Sequence, residues 1–301
     1  MINLYWQMYK SLEREVLNLS DCIHFDDKQL STYSVKIADL LTRCAIEIEA
    51  ISKDLYVVAG GLPILGENGQ ERNLFFDTDC IQLLDKKWGI CKRIAIITAP
   101  NFYFDKTENK QFCPLKKANK HGECDWKRAY QAVKHNRVGD LEKGNIKHLL
   151  KAMAALFLLN IYYKDICFEI SPNLALPDLS FGSDLFAITS TIVRHQFYTK
   201  EVSMPSESAG AVYIIKAHDE VYSKYQEHAK AAFSKQSALV IGKGHDATPK
   251  SRNEIFSRAA ELDIVNSVAD CDKYANNVFE RLTYEAVLNK SQIIYKEDPS
   301  K

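Results

Sequence analysis

The sequence predicts a mainly α protein: an antiparallel helical bundle followed by a small mixed α/β region. Three observations carry this. Apolar side chains recur at helical spacing over residues 4–19 and again up to Val58; a run beginning at Ile146 is apolar nearly all round; and segments rich in β-branched and aromatic residues gather beyond Pro172. A helix without a polar stripe has to be covered on every side, and the helices before it are its natural partners. The division implied is a bundle over residues 1–170 and a mixed α/β region over 171–301.

In the first element, Tyr5, Met8, Tyr9, Leu12, Val16 and Leu19 fall at a period near 3.6, the mark of an amphipathic helix. Ser31 or Thr32 is placed to cap a second helix, with Ile37, Leu40, Leu41, Cys44, Ile48, Ile51 and Leu55 on its buried side, ended by Gly60, Gly61 and Pro63. Residues 77–88 predict a shorter third helix, and the β-branched residues 93–98 a strand between Gly89 and Pro100. Residues 100–124 read as a loop that carries Lys106, Lys110, Lys116, Lys117 and Lys120. The apolar helix runs from Ile146 to about Phe168. Beyond it, residues 185–193 and 211–217 predict strands that pair with each other, and residues 219–233, 251–263 and 269–288 predict helices.

Composition excludes more than it assigns. Lys plus Arg and Asp plus Glu both number 39, so the formal net charge is zero and any nucleic-acid site has to be a local patch. The eight cysteines have no framework spacing, and the first residues are amphipathic rather than basic and then apolar, so reduced thiols, no signal peptide and a cytoplasmic location are expected. Residues 152–163, the most apolar run, are too few to span a bilayer, which needs roughly 20; no membrane association is expected. No phosphate-binding glycine loop is present. Cys113, His121 and Cys124, with Cys91 upstream, lack the Cys-x₂₋₄-Cys pairs of a closed zinc site, so neither a metal nor a cofactor is expected.

Polar chemistry is concentrated in residues 125–140. On a helix, Trp126, Ala129, Tyr130 and Val133 share one side, while Arg128 and His135, seven residues apart, share the opposite one. Asp125 is placed to cap this helix and Gly139 to end it. Metal-free RNA cleavage needs an imidazole-like group to move a proton at the 2′-hydroxyl or the leaving oxygen, and fixed positive charge on the phosphate. His135 and Arg128 are of those types, with Lys134 and Arg137 near enough to hold neighbouring phosphates and Asn136 or Tyr130 to support them. A solvated basic face is the alternative. On the second helix Asp39, Arg43 and Glu47, spaced four apart, form either a salt-bridged solvent face or a seam toward the Arg128 helix or a symmetry mate.

Arg128-x₆-His135, ahead of a strongly apolar helix, resembles the Arg-x₄₋₆-His motif of the HEPN superfamily. The longer pattern Trp126-x₃-Tyr130-x₃-Lys134-His135-x-Arg137 is similar to bacterial HEPN-like proteins associated with mobile elements and defence. The resemblance covers about residues 1–170. It implies an up-and-down bundle of four or five helices, a homodimer whose motif helices face each other, and metal-independent endoribonuclease activity on RNA, as in a toxin held by an antitoxin or a phage-defence effector. Many active members place a polar residue after the arginine; here Ala129 stands there and Asn136 follows the histidine. Other members bind a nucleotide or a protein partner without cleaving RNA, and a scaffold of that kind is the alternative function.

Overall fold

The structure, a computed structural model, describes residues 4–164, 168–170, 179–192, 210–217 and 284–288. The first element is α1 (Leu4–Leu19), which buries Tyr9, Leu12, Val16 and the acidic Glu13. A short strand, β1 (Phe25–Asp26), leads to α2 (Val35–Val58). Ser34 rather than Ser31 or Thr32 caps α2: it stands directly ahead of the first turn with an extended backbone, and its hydroxyl accepts from the backbone N–H of Ile37 at 3.2 Å.

A six-residue π-helical segment (Phe76–Ile81) runs into α3 (Gln82–Trp88), and Gly89 ends it in the left-handed region at φ 61°. The predicted strand is β2 (Ala95–Ile97). The lysine-rich stretch is less loop-like than its composition implies, for it holds β3 (Phe102–Tyr103), α4 (Thr107–Lys110) and β4 (Gln111–Phe112). Then come α5 (Asp125–His135), α6 (Arg137–Asp140) and the apolar α7 (Ile146–Lys164).

α2 and α7 form the central pair, and α1 and α5 pack against both. From Leu149 to Tyr162 almost every side chain of α7 is buried, as a helix covered on all sides requires. The Cys44 thiol of α2 meets the Met153 sulfur of α7 at 3.1 Å. The chain enters α7 through Gly144, where a Cβ would stand 2.6 Å from that of Ala38; the close approach of backbone to α2 excludes a side chain there. The protein is therefore mainly α around a four-helix core, as the periodicity indicated.

The later segments join this core. β5 (Phe168–Ile170), β6 (Phe186–Ile188), β7 (Ser190–Ile192), β8 (Tyr213–Ala217) and β9 (Tyr284–Leu288) complete the described elements. β6 pairs antiparallel with β2 in the sheet β4-β2-β6, with Leu185 and Phe186 fully buried beside α7. β5, β9, β8 and β7 form a second sheet in that order. Two expectations change here. Phe168 belongs to a strand, so α7 stops at Lys164, and Tyr284–Leu288, expected at the end of a helix, is a strand paired with β5 and β8. The strands expected over 185–193 and 211–217 do pair with each other, in parallel, as β7 with β8. The helices expected over 219–233 and 251–263 lie outside the described residues.

Two buried charges hold these segments to the bundle. Glu13, fully buried, accepts from the hydroxyls of Tyr9 and Ser183 and from the backbone N–H of Asp184 and Leu185 at 2.9 and 3.1 Å, and ion-pairs with Lys10. Arg93, equally buried, donates to the Trp88 carbonyl, to the Tyr162 hydroxyl at 3.1 Å and to the Ala211 carbonyl at 2.8 Å. Tyr162 stacks on Trp88 with ring centroids 5.2 Å apart. Burying a charge is tolerable only when it is matched in this way.

Candidate functional site

α5 exists because one of its faces is apolar. Trp126, Ala129, Tyr130 and Val133 are all buried, Trp126 standing edge-on to Phe76 at 5.9 Å while its indole N–H donates to the Pro114 carbonyl at 2.9 Å. Asp125 is the first helical residue rather than the cap. Its carboxylate ion-pairs with Lys151 of α7; although burial works to raise its pKa, that lysine and the Trp126 N–H leave it below the ordinary carboxylate range.

The helix stops at His135 because Asn136 leaves the helical region, at φ −143°, ψ 67°. Asn136 then caps α6, accepting from Gly139 N–H at 3.3 Å and donating to Asp140 at 3.2 Å. Gly139 does not end the helix. It leaves room for that cap, since a Cβ would lie 2.4 Å from the Asn136 amide nitrogen.

Arg128 and His135 are exposed and line one groove of about 740 Å³. With Lys127 and Gln131 they form a continuous stripe on α5. Across from it stand Glu49 and Lys53 of α2, residues 74–78 at the entry to the π-helical segment, and Lys120, His121 and Gly122 of the preceding loop. Four lysine or arginine side chains (Lys53, Lys120, Lys127, Arg128) therefore face two carboxylates (Glu49, Asp77). The groove is locally cationic in a chain of zero net charge. Among the described residues, the side chains of Arg128 and His135 have neither an ion-pair nor a hydrogen-bond partner.

One wall is built around two aspartates. Asp79 accepts both guanidinium arms of Arg72, at 2.7 and 3.0 Å, and the backbone N–H of Phe75 at 2.6 Å. Arg72 thereby lies 4.5 Å over the Phe75 ring, and Phe75 stays 58 % exposed at the groove edge. Asp77, buried, reaches His121 Nδ1 at 3.2 Å and Lys127 Nζ at 4.0 Å. Burial would raise its pKa, but Lys127, the Thr78 N–H and His121 hold it below the ordinary range. Lys127 also sits 4.3 Å over the Phe76 ring.

The residues expected to assist Arg128 and His135 fall elsewhere. Tyr130 is 3 % exposed and belongs to the hydrophobic core. Lys134 is exposed but lies 5.6 Å over the Tyr130 ring, off the groove lining; Arg137 is exposed on α6; Asn136 is engaged as a cap. The Asp39, Arg43 and Glu47 seam turns toward α1. Arg43 ion-pairs with Glu15, which also holds Lys36, Asp39 adds its charge to the same cluster, and Glu47 acts on Tyr5. Glu49 lies about 120° round the helix from Arg43, which is why a different stripe of α2 reaches the groove.

Asp77, Lys53, Glu49 and Phe75 had no signal in the sequence, because they approach α5 from elements more than 45 residues away. Gln131 and Lys127 were legible from helical spacing, at four and eight residues before His135. Cys113 and Cys124 do not join His121: Cys113 bonds the Lys92 carbonyl and Cys124 is buried, its thiol pushed up to about 12 by burial. Among the described residues no three His, Cys, Asp or Glu side chains gather as a metal would need, and no helix is long and apolar enough to cross a membrane. No protein-family model, curated protein or solved structure matches the chain.

Proposed function

We propose that this protein is a HEPN-like, metal-independent endoribonuclease working at the α5 groove. One observation carries the reading: Arg128 and His135, the two residues of the motif, line the same cationic groove with their functional groups unengaged. A guanidinium there is free to hold a phosphate through paired hydrogen bonds as charge builds on it. The imidazole is free to exchange a proton with the 2′-hydroxyl or the leaving oxygen. Lys53, Lys120 and Lys127 supply the sequence-independent attraction that RNA binding requires, and the exposed Phe75 offers a face on which a base can stack.

In this reading RNA is the partner, and two copies of the chain meet with their α5 helices facing. The test is to incubate purified protein with structured and unstructured RNAs in excess chelator, alongside Arg128→Ala and His135→Ala. Wild-type cleavage that both substitutions reduce by about 10²-fold or more supports the reading. Equal cleavage by all three proteins, or none by wild type, removes it and leaves a binding scaffold.

A further inference from the structure

The groove holds a second histidine with a built-in partner, and we propose that His121 is the general acid that complements His135, with Asp77 as its positioning residue. This rests on the nuclease reading above. The proposal starts from placement. His121 and His135 come from different elements, the loop before α5 and the last turn of α5, yet line one groove together with Arg128.

Their settings differ in a way that separates two roles. His121 Nδ1 lies 3.2 Å from Asp77 Oδ2, while its side chain remains 89 % exposed, so the ring is tethered at one nitrogen and open at the other. A buried carboxylate accepting from Nδ1–H fixes the tautomer and ring direction and offsets the positive charge of an imidazolium. That arrangement suits a group that donates a proton through Nε2. His135 has no carboxylate partner among the described residues and shares its stripe with Lys127 and Arg128. That setting leaves both ring nitrogens open, as a group that takes a proton requires.

Asp77 is itself held in place. It lies at the start of the π-helical segment, its Oδ1 accepts from Thr78 N–H at 3.0 Å, and Lys127 stands 4.0 Å from the oxygen that meets His121. π-helical turns are rare and are found frequently at functional sites.

The step balances with no further reagent. His135 takes the proton of the 2′-hydroxyl, the 2′-oxygen forms a bond to phosphorus, and the bond from phosphorus to the 5′-oxygen breaks. The departing 5′-oxygen takes the Nε2 proton of His121. Arg128 faces the phosphoryl oxygens that carry the charge in between. The products are a 2′,3′-cyclic phosphate and a 5′-hydroxyl, with one proton gained by His135 and one lost by His121.

The assignment is tested by changing the leaving group. An RNA oligonucleotide and the same oligonucleotide with a single 5′-bridging sulfur, which departs as a thiolate without protonation, are cleaved by wild type, His121→Ala, Asp77→Asn and His135→Ala. The expected result is that His121→Ala loses about 10²-fold or more on the oxygen substrate and less than about 3-fold on the sulfur one. Asp77→Asn should show the same leaving-group dependence at smaller size, and His135→Ala should lose both activities. His121 is exposed, so matched melting temperatures are expected. Undiminished cleavage of the oxygen substrate by His121→Ala, or equal loss on both substrates, overturns the assignment while leaving the nuclease reading standing. Failure of wild type on both substrates overturns the two together.

Discussion

Two groups of polar side chains in this molecule look alike in sequence and behave oppositely in structure. Glu13 and Arg93 sit fully buried among acceptors and donors that satisfy them. Arg128 and His135 stand exposed in a groove, with neither ion pairs nor hydrogen bonds to their functional groups among the described residues. A charge that is desolvated and fully matched serves the fold; removing it strands its partners in a low dielectric. A charge held at a concave surface without a partner contributes little to the fold and is free to bind. Whether a charge is structural therefore follows from what surrounds it rather than from its residue type.

The sharpest way to break this comparison is to remove the buried members. Arg93→Ala takes a donor from the Trp88 and Ala211 carbonyls, and Glu13→Ala takes the acceptor from the Asp184 amide and one of two acceptors from the Leu185 amide. Each should cost about 3–5 kcal/mol, read as a shift in the denaturant midpoint. Met153→Ala tests the apolar counterpart. It opens a cavity between α2 and α7 where the sulfur now meets Cys44, and should cost about 2–5 kcal/mol.

Acid provides a graded version. Arg72 is the main reason the Asp79 carboxyl stays below its ordinary range, and Lys36, followed by Arg43, does the same for Glu15. Such groups bind protons more weakly folded than unfolded. Their stabilisation is fully present above the unfolded value near pH 4 and is lost as pH falls through the lower folded values. Melting temperature should therefore decline below about pH 4, and Arg72→Ala should make that decline shallower. The smallest effect belongs to the α1–α2 seam. Arg43→Ala removes a partly exposed ion pair and should change stability by no more than about 1 kcal/mol, with no effect on activity at the groove.

Much of the bundle was legible beforehand because it depends on local periodicity. The apolar spacing over Leu4–Leu19 and the all-round apolarity of α7 report burial directly, and the same logic placed Trp126, Ala129, Tyr130 and Val133 inside. Helical spacing also put Arg128 and His135 on one face. The rest of the site was illegible for a physical reason: its far wall comes from α2 and the 74–78 segment, and no local pattern encodes which stripe of one helix faces another. Hence Asp39, Arg43 and Glu47 pointed to α1 and Glu49 and Lys53 to the groove. Tyr130 was a similar case, since its hydroxyl drew it into the candidate set while its ring belonged to the buried face. The strand at Tyr284–Leu288 depends on partners more than 65 residues away, at β8, and on β5 beyond that.

The central claim, that Arg128 and His135 serve function and not the fold, is tested most directly by one paired measurement on Arg128→Ala and His135→Ala: the denaturation midpoint and the rate of RNA cleavage in chelator, on the same preparations. The account predicts stability within about 0.5 kcal/mol of wild type together with a loss of cleavage of about 10²-fold or more. Unchanged cleavage, or a loss that tracks destabilisation, would contradict it.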